Sequence, residues 1–201
     1  MIKKAYHNFC FIGKTYLRLS LFSLLFYLSI LSQAAIIYVD GGASGSNNGT
    51  TWSNAYTDLQ DGLDGASSGD EIRIAEGTYY PTESPDGTTA DIRKRAFHID
   101  VDIDISGGWD ASLATQTGSE TILSGDIGTV GDKTDNCYTV FLIESISSSS
   151  LSNFTVTKGY NTSVINVPYS GYTFPLHYSG GIYVFDSDIV YTDLTIDDNK
   201  A

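Results

Sequence analysis

Arg95-Ala96-Phe97-His98-Ile99-Asp100-Val101-Asp102-Ile103-Asp104-Ile105-Ser106-Gly107-Gly108-Trp109 is the stretch whose reading decides the fold. Ile99, Val101, Ile103 and Ile105 alternate without a slip with His98, Asp100, Asp102, Asp104 and Ser106. A period of two sends successive side chains to opposite faces of a strand, so one face is branched aliphatic and the other nearly all carboxylate. A helix would scatter the aspartates around its circumference, and β-branched residues lose rotamer freedom there. The stretch therefore predicts one strand with a core face and a water face.

Working outward, the same short unit recurs. Residues 36–40, 71–80, 121–126, 137–146, 180–184 and 189–196 read as strands, as does the segment carrying Leu151, Phe154 and Val156. Each is bounded by Gly, Asp, Asn or Ser, and no helical pattern separates them. Ser53 reads as the N-cap of a single helix through Ala55, Tyr56, Leu59 and Leu63, weakened by Gly62 and Gly65. Strands without helices usually mean an antiparallel sandwich, but the tight two-residue Asn-Gly or Asp-Gly links of a meander are missing between the alternating runs. Recurring unit and bend instead predict coils stacked in one direction, a parallel β-helix with a short N-terminal capping helix.

The N-terminus carries an address. Lys3, Lys4, Lys14 and Arg18 form a positive region, residues 19–31 are apolar but for serines, and Ser32-Gln33-Ala34 offers small residues for cleavage after Ala34. That is the pattern of a signal peptide, and the apolar run is short for a membrane span of about 20 residues. An uncleaved anchor is the alternative. Residues 35–201 then form the β-helix domain, with seven basic against 24 acidic residues, a net charge of −17. This balance argues against nucleic acid and against anionic membrane surfaces. The membrane enters only through export or anchoring. Cys137 is the one cysteine of this domain, so an intrachain disulfide is impossible, and it reads as a buried strand position.

Several segments resemble a known family. Ile37-Tyr38-Val39-Asp40, Asn48-Gly49-Thr50-Thr51-Trp52-Ser53-Asn54-Ala55-Tyr56-Thr57-Asp58-Leu59-Gln60, Gly69-Asp70-Glu71-Ile72 and Ala75-Glu76-Gly77-Thr78-Tyr79 look like the opening of bacterial surface proteins of the pectin-lyase-like type. Gly107-Gly108-Trp109, Thr121-Ile122-Leu123-Ser124-Gly125-Asp126 and Leu151-Ser152-Asn153-Phe154-Thr155-Val156-Thr157 add to that likeness. Gly180-Gly181-Ile182-Tyr183 with Ile196-Asp197-Asp198-Asn199 resembles the repeats of chlamydial polymorphic outer membrane proteins, with Ile in place of their Ala and Phe. The resemblance implies an all-β, right-handed parallel β-helix at the cell surface or outer membrane, or secreted. It implies more coils than this chain holds, so the domain reads as truncated at its C-terminal end.

Candidate chemistry is sparse. Asp100, Asp102 and Asp104 stand about 6.6 Å apart on one strand face, where a calcium ion could relieve their repulsion; solvation of an outer face is the favoured reading. His98 on the same face reads as solvated, and so does the basic trio Arg93, Lys94 and Arg95. Neither the Asp, Gly-His-Gly and Arg-x-Lys constellation of polygalacturonases nor the Arg-rich strand of pectate lyases is found, so no catalytic residue is assigned. The insertion at 160–179 is rich in aromatics, and Tyr169, Tyr172 and Tyr178 are the candidate ligand-binding residues, since flat rings with a polar tip suit sugars. The expected function is non-catalytic adhesion or contact with an extracellular glycan or host surface, with no cofactor. The alternatives are the N-terminal part of a polysaccharide lyase or glycoside hydrolase whose catalytic coils lie beyond residue 201, and a structural stalk.

Overall fold

The alternation at residues 95–109 builds two strands and a corner, not one strand. Phe97–Ile99 and Asp104–Asp110 belong to different sheets, and the chain bends between them. Phe97, Ile99, Ile103 and Ile105 are all buried and Val101 packs half-buried against the same core. The period of two thus survives the bend in burial, although no single pleated strand carries it.

The computed structural model describes residues 33–88, 90–162, 166–169, 172–175 and 179–201. Ala35–Ala201 is one unit, and the signal-peptide reading concerns residues of which 1–32 lie outside the described ones. In chain order the elements are β1 (Ile36–Val39), α1 (Leu59–Asp64), β2 (Glu71–Ala75), β3 (Gly77–Tyr79), β4 (Phe97–Ile99), β5 (Asp104–Asp110), β6 (Thr115–Gln116), β7 (Thr121–Ser124) and β8 (Phe141–Glu144). They continue with β9 (Ser149–Ser152), β10 (Thr155–Thr157), β11 (Asn166–Tyr169), β12 (Tyr172–Pro175), β13 (Ile182–Phe185), β14 (Ile189–Thr192) and β15 (Thr195–Asp197).

Three sheets are parallel. The first runs β1-β2-β5-β9-β14, with β6 added antiparallel to β5; the second β3-β7-β10-β15; the third β4-β8-β13. Along the chain the strands pass from first sheet to second to third and back, and each sheet grows in sequence order. The fold is all-β, built of parallel sheets, with one short α-helix among the described residues.

Register stacks like residues on like. Ile37, Ile72, Ile105 and Leu151 pair in turn, as do Tyr79, Leu123 and Val156, Phe97 with Phe141, and Ile99 with Ile143. All are buried in one cluster, and full burial of each aliphatic side chain is worth about 1.5–3 kcal/mol. In the last rung the partners Tyr191, Ile196 and Val184 are exposed.

The third sheet is covered on both faces. Ala96, Tyr138 and Leu142 form a second buried cluster, with Tyr183 and Phe185 packed on it. This explains the apolar run Val140-Phe141-Leu142-Ile143 within the segment that reads as a strand over 137–146: a parallel strand buried on both sides has no polar face to show there. Its strand proper is shorter, and Cys137 precedes it. Cys137 is buried as expected, and burial pushes its thiol up to about 12.

The predicted helix is also divided. Thr51 caps a 3-10 turn at Trp52–Asn54, with its Oγ1 accepting from Asn54 N. Tyr56 then bridges to Val39 in extended form, and the α-helix starts only after Asp58, whose carboxylate accepts from Gln60 N at 2.9 Å. Ser53 is therefore not the N-cap. The backbone of Tyr56 is taken up by Tyr38, which halts the helix before Leu59.

The aspartate ladder does structural work at the corner. Asp102 Oδ1 accepts from Ser147 N and Ser148 N at 2.6 and 3.1 Å, and Asp104 Oδ1 accepts from Ser150 N and Oγ at 2.8 and 2.7 Å. These carboxylates tie β5 and the bend before it to β9 and the residues leading into it. Among the described residues no group of three or more His, Cys, Asp or Glu is placed to hold a metal ion.

Candidate functional site

Three parallel strands of the first sheet end side by side, and each is followed or closed by an acid. Asp40 follows β1, Glu76 follows β2 and Asp110 ends β5, with Glu76 N donating to Trp109 O at 2.9 Å. Because β1, β2 and β5 are parallel neighbours, their carboxyl ends must share one edge. There the chain opens a cleft of about 630 Å³, lined by these three acids, Trp52, Ser44 and Ser112 among others. No basic residue lines it.

Trp52 reaches this edge from the 3-10 turn. Its ring packs edge-on to Tyr38 at 4.7 Å and tilted to Trp109 at 6.0 Å. The Arg73 guanidinium lies 4.4 Å over the Trp109 ring and is forked onto Glu71 at 2.8 and 2.9 Å. Both tryptophans of the chain thus stand beside one sheet, with the Arg73 cation over Trp109 tied to Glu71. Aromatic pairs of this kind are worth about 0.5–1.5 kcal/mol beyond their area, enough to hold a ring as a fixed wall.

The acids differ in what they already hold. Asp40 Oδ1 accepts from Gly42 N at 2.8 Å. Asp110 Oδ1 accepts from the Ser112 hydroxyl at 2.6 Å and from the backbone of Ser112 and Leu113. Those bonds, the Ser112 hydroxyl foremost, hold the Asp110 carboxyl below its ordinary value, the opposite of what a general acid needs. Glu76 is exposed and also lines a neighbouring cleft of about 410 Å³ that includes Tyr79 and half-exposed Tyr80. The two clefts share Gly42 and Glu76, so together they make a groove.

The residues singled out from sequence fall elsewhere. Tyr169 and Tyr172 are backbone partners in the register of an antiparallel hairpin, β11 with β12. Tyr178 lies outside the described residues. His98 is not solvated: its side chain is 11% exposed, and Nε2 stands 2.8 Å from Glu144 Oε1, whose side chain is 3% exposed. Arg93 is not a loop cation either. It lies 4.2 Å over the Tyr138 ring and donates to Asn136 O and Tyr160 O, while Lys94 pairs with Asp86 at 3.0 Å.

Burial pushes the Glu144 carboxyl above its ordinary value, Asp100 adds to that, and the His98 hydrogen bond opposes it. A raised carboxyl contributes stability that is complete below the ordinary carboxylate value and lost as pH rises through the raised one. Relative to Glu144→Gln, the wild type is therefore expected to gain stability as pH falls from neutrality towards the ordinary carboxylate value. Urea midpoints of both proteins across that range check this, and a difference flat in pH would refute it.

Trp52, Glu76 and Asp110 were not legible as a site. They lie in separate segments, and only the parallel pairing of β1, β2 and β5 gathers them. Among the described residues no helix is long and apolar enough to cross a membrane. No protein-family model, curated protein or solved structure matches the chain.

Proposed function

We propose that the chain is an exported, right-handed parallel β-helix of the pectin-lyase-like kind that holds an extracellular glycan, without catalysis, in the groove beside Trp52. The passage of the chain through three parallel sheets in fixed rotation supports the β-helix. One observation carries the binding role: an immobilised indole and three carboxylates converge on an open cleft of about 630 Å³. Sugars present C–H faces that stack on an aromatic ring and hydroxyls that donate to carboxylates. The acidic lining favours neutral or cationic sugars over uronates, whose charge it would repel. An exported adhesin or surface protein meets such polymers, consistent with the leader-like N-terminus.

A glycan-array screen of residues 35–201, followed by calorimetry on the best ligand, tests this. Trp52→Ala and Glu76→Gln are each expected to weaken binding, Trp52→Ala on the order of 10- to 30-fold, about 1.4–2 kcal/mol. Circular dichroism checks that both variants keep the fold. Unchanged affinity in both, or loss only on changing Tyr169 and Tyr172, would move the site to the hairpin. No glycan bound by a folded protein would leave the stalk.

A further inference from the structure

The cleft beside Trp52 does not end at Glu76. The neighbouring cleft of about 410 Å³ adjoins it there, and the two have only Gly42 and Glu76 in common. Trp52 lines the first alone and Tyr80 the second alone. Each volume lies within the range of a small-ligand pocket, about 300–1,000 Å³, so the pair offers room for more than one sugar ring. Resting on the glycan reading of the Trp52 cleft, we infer that the groove takes a linear chain of several neutral or amino-sugar units. The chain runs from Trp52 past Glu76 to Tyr80, and the Tyr80 ring is its second platform.

The second cleft is held in place before anything binds. Glu76 N donates to Trp109 O at 2.9 Å and Gly77 N to Glu120 O at 3.0 Å, which pins the corner between β2 and β3 to later segments. Tyr79 is 6% exposed, and its hydroxyl donates to Ala75 O at 3.2 Å and accepts from Gly41 N at 3.4 Å. That ring ties the loop after β1 to the end of β2, so Tyr79 holds the cleft rather than the ligand. Gly41, Gly77 and Tyr79 all line the second cleft, and walls already fixed spare a ligand the cost of ordering them.

Tyr80 is the ring left for a ligand. It is 44% exposed, between buried Tyr79 and buried Pro81. A tyrosine standing out in this way offers an apolar face and a polar tip, which suit the C–H face and hydroxyls of a sugar. Glu76 is exposed and common to both clefts, so it meets any chain that joins the two rings. Asp58 lines the second cleft as Asp40 and Asp110 line the first, and among the described residues no basic side chain lines either. Acceptors for hydroxyl or ammonium groups thus continue along the groove, and uronates are repelled throughout. Linked units turn the second stacking contact into an intramolecular one, so affinity should grow with chain length.

Calorimetry of residues 35–201, which form one unit, tests this with cello-oligosaccharides, N-acetylglucosamine oligomers and glucosamine oligomers, each from disaccharide to hexasaccharide. In at least one series the wild-type Kd is expected to fall about tenfold or more with length. Tyr80→Ala should remove that gain and leave the disaccharide Kd within about twofold. Tyr80→Phe keeps the ring and should keep most of the gain, whereas Trp52→Ala should weaken every length. In the wild type, the Tyr80 ring resonances should shift with the hexasaccharide and not with the disaccharide, a readout that stands however Tyr80→Ala folds. Oligomers that bind without gaining from length, silent Tyr80 resonances, or a Tyr80→Ala variant that keeps the gain would overturn the second platform and leave the Trp52 site. No binding by any oligomer would remove the glycan reading itself, and this inference with it.

Discussion

Phe141→Ala is expected to destabilise the domain by about 3–5 kcal/mol, the range for deleting a buried phenylalanine. The ring is fully buried in β8, paired in register with Phe97 on one side and Ile182 on the other. It lies 6.0 Å from the Phe97 ring and 6.3 Å from that of Phe154, so it touches the third sheet and the segment between β9 and β10 together. Strands paired on both sides fix the backbone, which leaves little room for the cavity to collapse. Phe141→Leu should cost visibly less, because most of the volume remains. Urea unfolding of the three proteins measures this. A loss under about 1 kcal/mol for Phe141→Ala would mean that the stacked aromatic column is not the centre of the core.

Gly159→Ala is expected to cost 3 kcal/mol or more, at or above the upper end of overpacking penalties. A Cβ there would stand 1.6 Å from the carbonyl oxygen of Gly180, and backbone cannot rotate aside as a side chain can. Gly159 is also held on both sides, its N donating to Asn199 Oδ1 at 2.8 Å and its carbonyl accepting from Lys200 N at 2.9 Å. The same crowding recurs one rung earlier, where a Cβ on Gly125 would meet Gly159 N at 2.9 Å. Backbone segments thus approach each other closely at Gly125, Gly159 and Gly180. Gly41→Ala, whose nearest neighbours would be 3.9 Å away, serves as the control and should change stability by no more than about 0.5 kcal/mol. If both glycine variants behave alike, the close approach of rungs at residue 159 is wrong.

Much of the architecture could be read locally. The apolar positions of residues 97–105 go to the core as their alternation requires. The position of strand ends could not be read. Asp100–Ile103 looks as strand-like as its flanks, yet the chain turns there because Ile103 N finds the Ser149 hydroxyl at 2.9 Å and Asp102 finds Ser147. Those partners lie some 45 residues away, beyond any local pattern. The helix boundary moved for the same reason, since Tyr56 is claimed by Tyr38.

Function-bearing residues show the contrast most clearly. The tyrosines of the aromatic insertion lie close together in sequence, whereas Trp52, Glu76 and Asp110 are dispersed and individually ordinary. His98 looked solvated because alternation assigns it the outer face; the second cluster over that face, with Glu144 beneath it, covers it instead. By itself the sequence determined β structure, an aliphatic core and an acidic exterior, because period and composition are properties of neighbouring residues. Which acids clasp a corner, which line a cleft and which polar groups are buried was decided by tertiary structure, because hydrogen-bond partners and water exclusion come from strands a whole rung away.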